Sequence, residues 1–304
     1  VLTAPAESTR LRIEPGRDPA TWFDPGLPVL AGDATERLFP AAQPAGRHGP
    51  FALFQHGDWL IGAASAPCAG ALGDHTRSLY RVLLAAAGPR HLTRIWNYVP
   101  AINALDASGE ENYHTFCRGR SLAFEEWFGP GFTSRVPAAS AVGTRSDRLT
   151  IVFAATTTPP RHVENPLQLP AYDYPAAYGP RAPSFARATL VPGCRHPVTF
   201  ISGTAAIRGH ATVAPACTAR QLDCLIENLR EIGRACGLGS GLSAGPDGSR
   251  HFKVYLRHAA DLAATAASLG AALLQPGDIV TYLEADICRA ALNVEIEATL
   301  LPPV

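Results

Sequence analysis

One order of predicted elements, met twice along the chain, limits the possible folds more than any other feature. In the first pass the apolar pieces flanking His56-Gly57-Asp58 read as a hairpin. A helix follows over residues 74–87, with Asp74 as N-cap, Leu79, Val82, Leu83 and Ala86 on one face, and Gly88-Pro89 as its stop. A β-branched and aromatic strand over 91–99 and a helix over 110–128 complete the pass. The second pass begins at Phe200, with a strand running to Ile207 around Gly203. It continues with a helix over 219–236, a strand over 252–257 and an Ala-rich helix over 261–274. Thr218-Ala219-Arg220-Gln221 reads as a capping box for the first of these helices. Leu222, Leu225, Ile226, Leu229, Ile232 and Cys236 form its apolar face, and Gly237 ends it. Trp96 falls opposite Tyr255 in this alignment. Strands alternating with helices in a repeated order predict an α/β (α+β) chain of two similar halves, each a mixed β-sheet with helices packed on one face. The expected division is 1–145 and 146–304, with the strong strand at 149–155 opening the second half and the Pro- and Gly-rich first 50 residues adding edge strands and loops.

Charge and cysteine usage narrow the partners. Lys+Arg and Asp+Glu both number 26 in 304 residues, so the formal net charge is zero. That argues against nucleic-acid binding through a broad basic surface, and any anionic ligand must be held by locally placed arginines. The seven cysteines, at 68, 117, 194, 217, 224, 236 and 288, show no CxxC and no metal-ligand spacing. They read as reduced thiols of a cytoplasmic protein that needs no metal and no other cofactor. No signal-peptide pattern opens the sequence, and no run of about 18 apolar residues marks a membrane span.

Two stretches carry more chemistry than packing requires. The loop over 164–188 is long, stiffened by prolines and lined with tyrosines and the arginines Arg181 and Arg187. Its bland reading is a Pro-rich wrapper around a core; its aromatic content argues against disorder. The closing stretch holds Cys288 and Arg289 after one β-type run and Glu295 and Glu297 in the next. An acidic residue in a strand is ordinarily solvated, and a lone cysteine is ordinarily a small buried hydrophobe. On one continuous strand Cys288 and Glu295 would face opposite sides, so they share a pocket only if the chain bends over 290–293.

The second half resembles the RidA/YjgF fold, through residues 200–207, Lys253-Val254-Tyr255-Leu256-Arg257 and Val294-Glu295-Ile296-Glu297-Ala298. From about residue 94 to 300 the chain is more closely similar to the chorismatases, which remove the enolpyruvyl group of chorismate. The pieces that carry this are Trp96-Asn97-Tyr98-x-Pro100-x-Ile102-Asn103, Phe116-Cys117-x-Gly119-Arg120 and Glu164-Asn165-Pro166-x-Gln168. Tyr178-Gly179-Pro180-Arg181-x-Pro183-Ser184-Phe185-x-Arg187-Ala188, Ser202-Gly203-Thr204-Ala205 and Ala285-Asp286-Ile287-Cys288-Arg289 complete the set.

The resemblance implies two RidA-like halves, a first half without catalytic residues, and a pocket built mainly from the second. It implies Glu295, rather than Glu297, as the general acid, and Cys288 as a polar contact or proton carrier. Chorismate is a dianion, and arginine forks match carboxylates, so Arg181, Arg187 and Arg257 are candidate anchors. Tyr178 is a candidate donor to the same groups, and Gly203 and Thr204 are expected at the substrate. Cys288 together with Gly203 matches the members that form 3-hydroxybenzoate and pyruvate, where hydrolysing members carry small residues such as alanine. Within the family, a bifunctional enzyme forming 3- and 4-hydroxybenzoate is the alternative. Outside it, the alternatives are a RidA-type imine hydrolase and a non-enzymatic small-metabolite binding module. The expected partner is a small-molecule substrate only, with a monomer or a trimer as the assembly.

Overall fold

The computed structural model describes residues 9–68, 71–193 and 197–302. Two large sheets repeat one strand order. In the first, Gln43–His48, Phe51–His56 and Trp59–Pro67 meander antiparallel. Arg148–Thr156 pairs next, then His91–Pro100, with Ala138–Thr144 parallel to it at the edge. In the second, Arg161–Val163, Ala188–Val191 and Val198–Ala205 meander. Val294–Leu301 pairs next, then Ser249–Leu256, with Ile279–Glu284 parallel to it and Val29–Ala31 added outside. In both halves the last strand to be made slots into the middle of its sheet. This bears out the expected pair of mixed sheets but corrects one assignment. Arg148–Thr156, expected to open the second half, closes the first sheet, so the change of sheet comes after Thr156.

The side chains sort into four layers. Helices Leu72–Ala87 and Asn112–Phe128 pack on the outer face of the first sheet, and Thr218–Cys236 and Leu262–Ala272 on the outer face of the second. The inner faces of the two sheets pack on each other, with Trp59, Trp96 and Val152 meeting Val198, Phe200 and Tyr255. Strand alternation decides which residues enter this middle layer. On Val294–Leu301, Val294, Ile296, Ala298 and Leu300 lie under the helices. Glu295 and Glu297 therefore point into the space between the sheets, where both are 3% exposed.

The register supports the internal alignment. Trp96 pairs with Val152 as Tyr255 pairs with Glu295, and Arg94 pairs with Ala154 as Lys253 pairs with Glu297. Trp96 and Tyr255 are thus equivalent positions, as the sequence alignment expected.

Both expected helix caps are corrected. The first helix begins at Leu72 behind Ala71, without a side-chain cap, and Asp74 lies inside its first turn. The helix Thr218–Cys236 begins behind Cys217, also without a side-chain cap. Its Thr218 hydroxyl instead donates to Asp261 Oδ2 (2.7 Å) and accepts from Asn293 Nδ2 (3.0 Å). Gln221 donates to the carbonyls of Ala214 (3.1 Å) and Ala291 (2.8 Å) and accepts from the Asn293 amide (2.7 Å). A polar pattern that looks local therefore fastens the distant segment 285–293. Gly237 ends the helix in the left-handed region, at φ 81°, as expected. Cys68, Cys117, Cys217, Cys224, Cys236 and Cys288 are unpaired thiols, and Cys194 lies outside the described residues. Among the described residues no helix is long and apolar enough to cross a membrane.

The two corrected caps predict opposite mutational outcomes. Gln221→Ala strands a buried amide and two carbonyls and should cost about 1–3 kcal/mol in urea unfolding. Asp74→Ala should stay within about 0.5 kcal/mol. Equal losses for the two would contradict this account of the helix starts.

Candidate active site

Between Ile279–Glu284 and Val294–Leu301 the chain must cross the end of Ser249–Leu256, because those strands flank it on opposite sides. The crossing, over 285–293, leaves extended geometry and turns at 288–291. The bend required for Cys288 and Glu295 to share a pocket is therefore present, and begins two residues earlier than expected. Arg257 holds it. Its guanidinium pairs with Asp286, and it donates to the carbonyls of Leu292 (2.8 Å), Arg289 (3.1 Å) and Ile287 (3.3 Å) and to Asn103 Oδ1 (3.1 Å).

Glu297, deeper in the inter-sheet layer, is fully partnered. It accepts from Lys253 Nζ (2.8 Å), Arg94 Nη2 (2.8 Å), Trp96 Nε1 (2.8 Å) and the Tyr255 hydroxyl (3.1 Å). Burial alone would raise its pKa, but Lys253 and Arg94 overcome that and draw it down to about 2. Lys253 also meets Glu36 (2.9 Å) and the Tyr98 hydroxyl (3.3 Å).

Glu295 faces the same layer and has no hydrogen-bond or ion-pair partner among the described residues. Burial first, and the fixed negative charge of Glu297 second, push its pKa up to about 8, against the opposing pull of Arg94 and Arg187. Two glutamates on one face of one strand are thereby split into a permanent anion and an acid protonated at neutral pH.

The Glu295 carboxyl lies against Gly203. A Cβ on that residue would stand 1.9 Å from Glu295 Oε1 and 3.2 Å from Ser140 Cβ. Gly203 lines the cavity, and the space directly above it is filled by the acid itself. The register shift between Ile201 and Thr204 explains the placement. It turns both Ser202, bound to the Ala139 amide (2.9 Å), and Gly203 toward the first sheet. Thr204 is buried, with its hydroxyl on the Ser202 carbonyl (2.9 Å), and does not line the cavity, contrary to expectation.

In front of Glu295 lies a cavity of about 290 Å³. Gly203, Cys288 and Glu295 form its floor. The loop over 164–188 supplies Tyr174, Tyr178, Phe185 and Arg187, and the crossing supplies Arg289. The first half adds Tyr113 and His114 from the start of its second helix, so the cavity lies between the halves. Burial, and then the nearby Glu295 carboxyl, raise the Cys288 thiol to about 12, leaving it a neutral S–H donor.

Two guanidinium groups reach the cavity wall. Arg187 donates to the Leu169 carbonyl (3.0 Å) and the Tyr174 hydroxyl (2.8 Å), while Glu164 stands 4.0 Å from its Nε, too far for a hydrogen bond. Arg289 lies on the ring of Tyr178, 4.0 Å from its centroid, and donates to the His210 carbonyl (2.8 Å) and Thr212 Oγ1 (3.1 Å). Tyr178 Oη is 3.2 Å from His210 Nδ1.

Two other expected anchors are occupied elsewhere and do not line the cavity. Arg181 pairs with Glu125 (2.5 Å) on the first half, and Arg257 clamps the crossing. Arg289, the cavity arginine that the expectation missed, stood beside Cys288 in the Ala285–Arg289 motif. Adjacency to the thiol, across a turn instead of along a strand, was the signal available. The pairing of Glu297 with Arg94 and Lys253 was missed because those residues are far apart in sequence.

Comparison with known proteins gives a consistent set. Residues 38–155 match the family model described as the N-terminal part of FkbO/Hyg5-like chorismatases. The chain is 37% identical over 260 residues to a 3-hydroxybenzoate synthase of Streptomyces hygroscopicus, covering 81% of this chain and 74% of that protein. It is 36% identical over 266 residues to a chorismatase of Streptomyces rapamycinicus, covering 84% and 78%. The crystal structure of a chorismatase superposes with a TM-score of 0.77 at 32% identity, over 86% of this chain and 80% of that one.

The unpartnered acid leaves a mark on stability. Its folded-state pKa of about 8 lies above the ordinary 4.5, so the folded chain keeps a proton that the unfolded chain releases within that window. Its contribution is fully present below about pH 4.5 and is lost as pH rises through 8. Glu295→Gln removes this loss, so the variant's melting temperature should exceed the wild type's by more at pH 9 than at pH 5. Parallel melting curves across that range would show an ordinary carboxyl.

Proposed function

The chain belongs to the chorismatase family, and we propose that it converts chorismate to 3-hydroxybenzoate and pyruvate with Glu295 as the general acid. The observation that carries the reading is a buried, unpartnered carboxyl, in surroundings that favour its proton, facing a cavity whose wall holds Arg187 and Arg289, neither with a carboxylate in hydrogen-bond reach. Guanidinium groups on a cavity wall favour an anionic ligand, and a ligand with two carboxylates answers two of them.

In the proposed reaction Glu295 gives its proton to the terminal methylene carbon of the enolpyruvyl ether. The ether carbon becomes an oxocarbenium centre, and the ether becomes a good leaving group. The neighbouring ring hydroxyl attacks the ring carbon that carries the ether, the carbon–oxygen bond breaks, and pyruvate leaves with the ether oxygen as its carbonyl. The hydroxyl proton returns to Glu295. One carbon–oxygen bond of the strained ring oxide breaks, the carbon that keeps the oxygen loses its proton and the oxygen gains one, which gives the aromatic 3-hydroxy acid with no water taken up. The neutral Cys288 thiol suits a hydrogen-bond contact to the ring oxygens. The 3-hydroxybenzoate reading over simple hydrolysis rests on Cys288 and Gly203, the pair that the family resemblance associates with that product. A cavity of about 290 Å³ is near the low end of ligand-site volumes and suits a single-ring substrate.

Purified protein incubated with chorismate should release pyruvate and 3-hydroxybenzoate in equal amounts. Glu295→Gln should lower kcat by about 10²–10⁴-fold, the usual contribution of a general acid. Cys288→Ala should shift the product away from 3-hydroxybenzoate while pyruvate release continues. Turnover unaffected by Glu295→Gln would remove the acid role, and an unchanged product mix would remove the thiol's.

A further inference from the structure

The motif Glu164-Asn165-Pro166-x-Gln168 lines no part of the cavity, yet it stands behind one of the cavity arginines. Asn165 donates to the Asn228 carbonyl (2.9 Å) and accepts from the Leu167 amide (3.0 Å), and Gln168 donates to the Ile207 carbonyl (3.2 Å). The segment fixed in this way offers two groups to Arg187. The Leu169 carbonyl accepts from Nη2 (3.0 Å), and the Glu164 carboxyl faces Nε across 4.0 Å. Glu164 Oε2 and Arg187 Nε are both shut off from solvent, and neither has a hydrogen-bond partner. A guanidinium withdrawn from water is costly to keep without a negative charge nearby. A carboxylate at 4.0 Å supplies that charge without occupying the guanidinium, so a ligand that reaches Arg187 has no hydrogen bond to Glu164 to break.

We propose that Glu164 is a positioning residue that serves as counterion to Arg187 while the cavity is empty and yields it to the substrate, taking up a proton from solvent as the anionic ligand binds. The inference rests on the chorismate reading above, in which Arg187 meets a substrate carboxylate. The groups facing Glu164 are Arg187, the Tyr172 hydroxyl and Asp173, and the helix Thr218–Cys236 meets the segment through the Asn228 carbonyl, which carries no charge. Burial raises the Glu164 carboxyl to about 7, against the opposing pull of Arg187 and of the hydrogen bond from Tyr172. Below that pH Glu164 is neutral, and Arg187 acts on the ligand with its full charge. As pH rises through 7, Glu164 becomes an anion that competes with the ligand for the same guanidinium, so binding weakens. The change is distinct from that of Glu295, whose midpoint lies near 8.

The test uses the Glu295→Gln protein, in which chorismate binding is read with little turnover and without the second titrating acid. Calorimetry with chorismate between pH 6 and pH 8 compares it with the same protein carrying Glu164→Gln as well. The single variant should bind about fivefold more weakly at pH 8 than at pH 6, the change that accompanies a rise of about one unit in the Glu164 pKa on binding. It should also take up protons at pH 7, seen as a binding heat that varies with the ionisation heat of the buffer. With Glu164→Gln added, both signals should fall away, and affinity at pH 8 should come up to that at pH 6. His114 and His210 stand at or beside the cavity in both proteins, so their charges cancel in the comparison. A merely structural role would lower affinity equally at every pH. That result, or a pH dependence that Glu164→Gln leaves unchanged, overturns the proposal. If Glu164→Gln does not fold, Glu164→Met is read by the same criteria. Failure of the underlying reading looks different: the Glu295→Gln protein would then give no binding heat with chorismate at any pH, and the proposal would fall with it.

Discussion

A carboxylate with every partner it can use sits two residues from a carboxyl with none, on the same face of one strand. Glu297 takes Lys253, Arg94, Trp96 and Tyr255. That leaves Glu295 with its neighbour's negative charge and a dry environment, both of which favour the protonated form. Glu297 does not line the cavity in front of Glu295, yet it helps set the protonation state of the residue that does. The rest of the molecule serves to bury this pair between two sheets and to bring a cavity that holds Arg187 and Arg289 up to the neutral member.

The duplicated sheet order explains how this became possible in one half only. Arg94 and Trp96 of the first sheet occupy the places of Lys253 and Tyr255 in the second. The strand positions that hold Glu295 and Glu297 are Val152 and Ala154 in the first sheet. One half thus adds a cation and an indole to a cluster whose paired glutamates, Glu295 and Glu297, belong to the other. Small backbone features finish the site. The bulge between Ile201 and Thr204 aims Gly203 at Glu295. The crossing clamped by Arg257 and Gln221 delivers Cys288 and Arg289 to the cavity.

The sequence made the element order and the doubled architecture legible, because strand alternation and helix periodicity are local signals. It also pointed to Glu295, Cys288 and Gly203, through family resemblance and not through spacing. What it left hidden were choices made by distant partners. Arg181, Arg187, Arg257 and Arg289 look alike in sequence; only the fold assigns the first to Glu125 and the third to the crossing, and brings the second and fourth to the cavity. The Thr218 and Gln221 pattern looks like a helix cap, yet its side chains meet Asp261, Asn293 and Ala291. The half expected to lack catalytic residues lends Tyr113 and His114 to the cavity wall, because the two inner faces are packed together.

The central claim is that Glu295 holds its proton in the unliganded protein at neutral pH. Carbon-13 NMR of the glutamate side-chain carboxyls, with Glu295 assigned by its loss in Glu295→Gln, reads this directly. The account predicts a midpoint near 8, with a neutral carboxyl shift at pH 6.5. A midpoint near the ordinary value of 4.5 would contradict it.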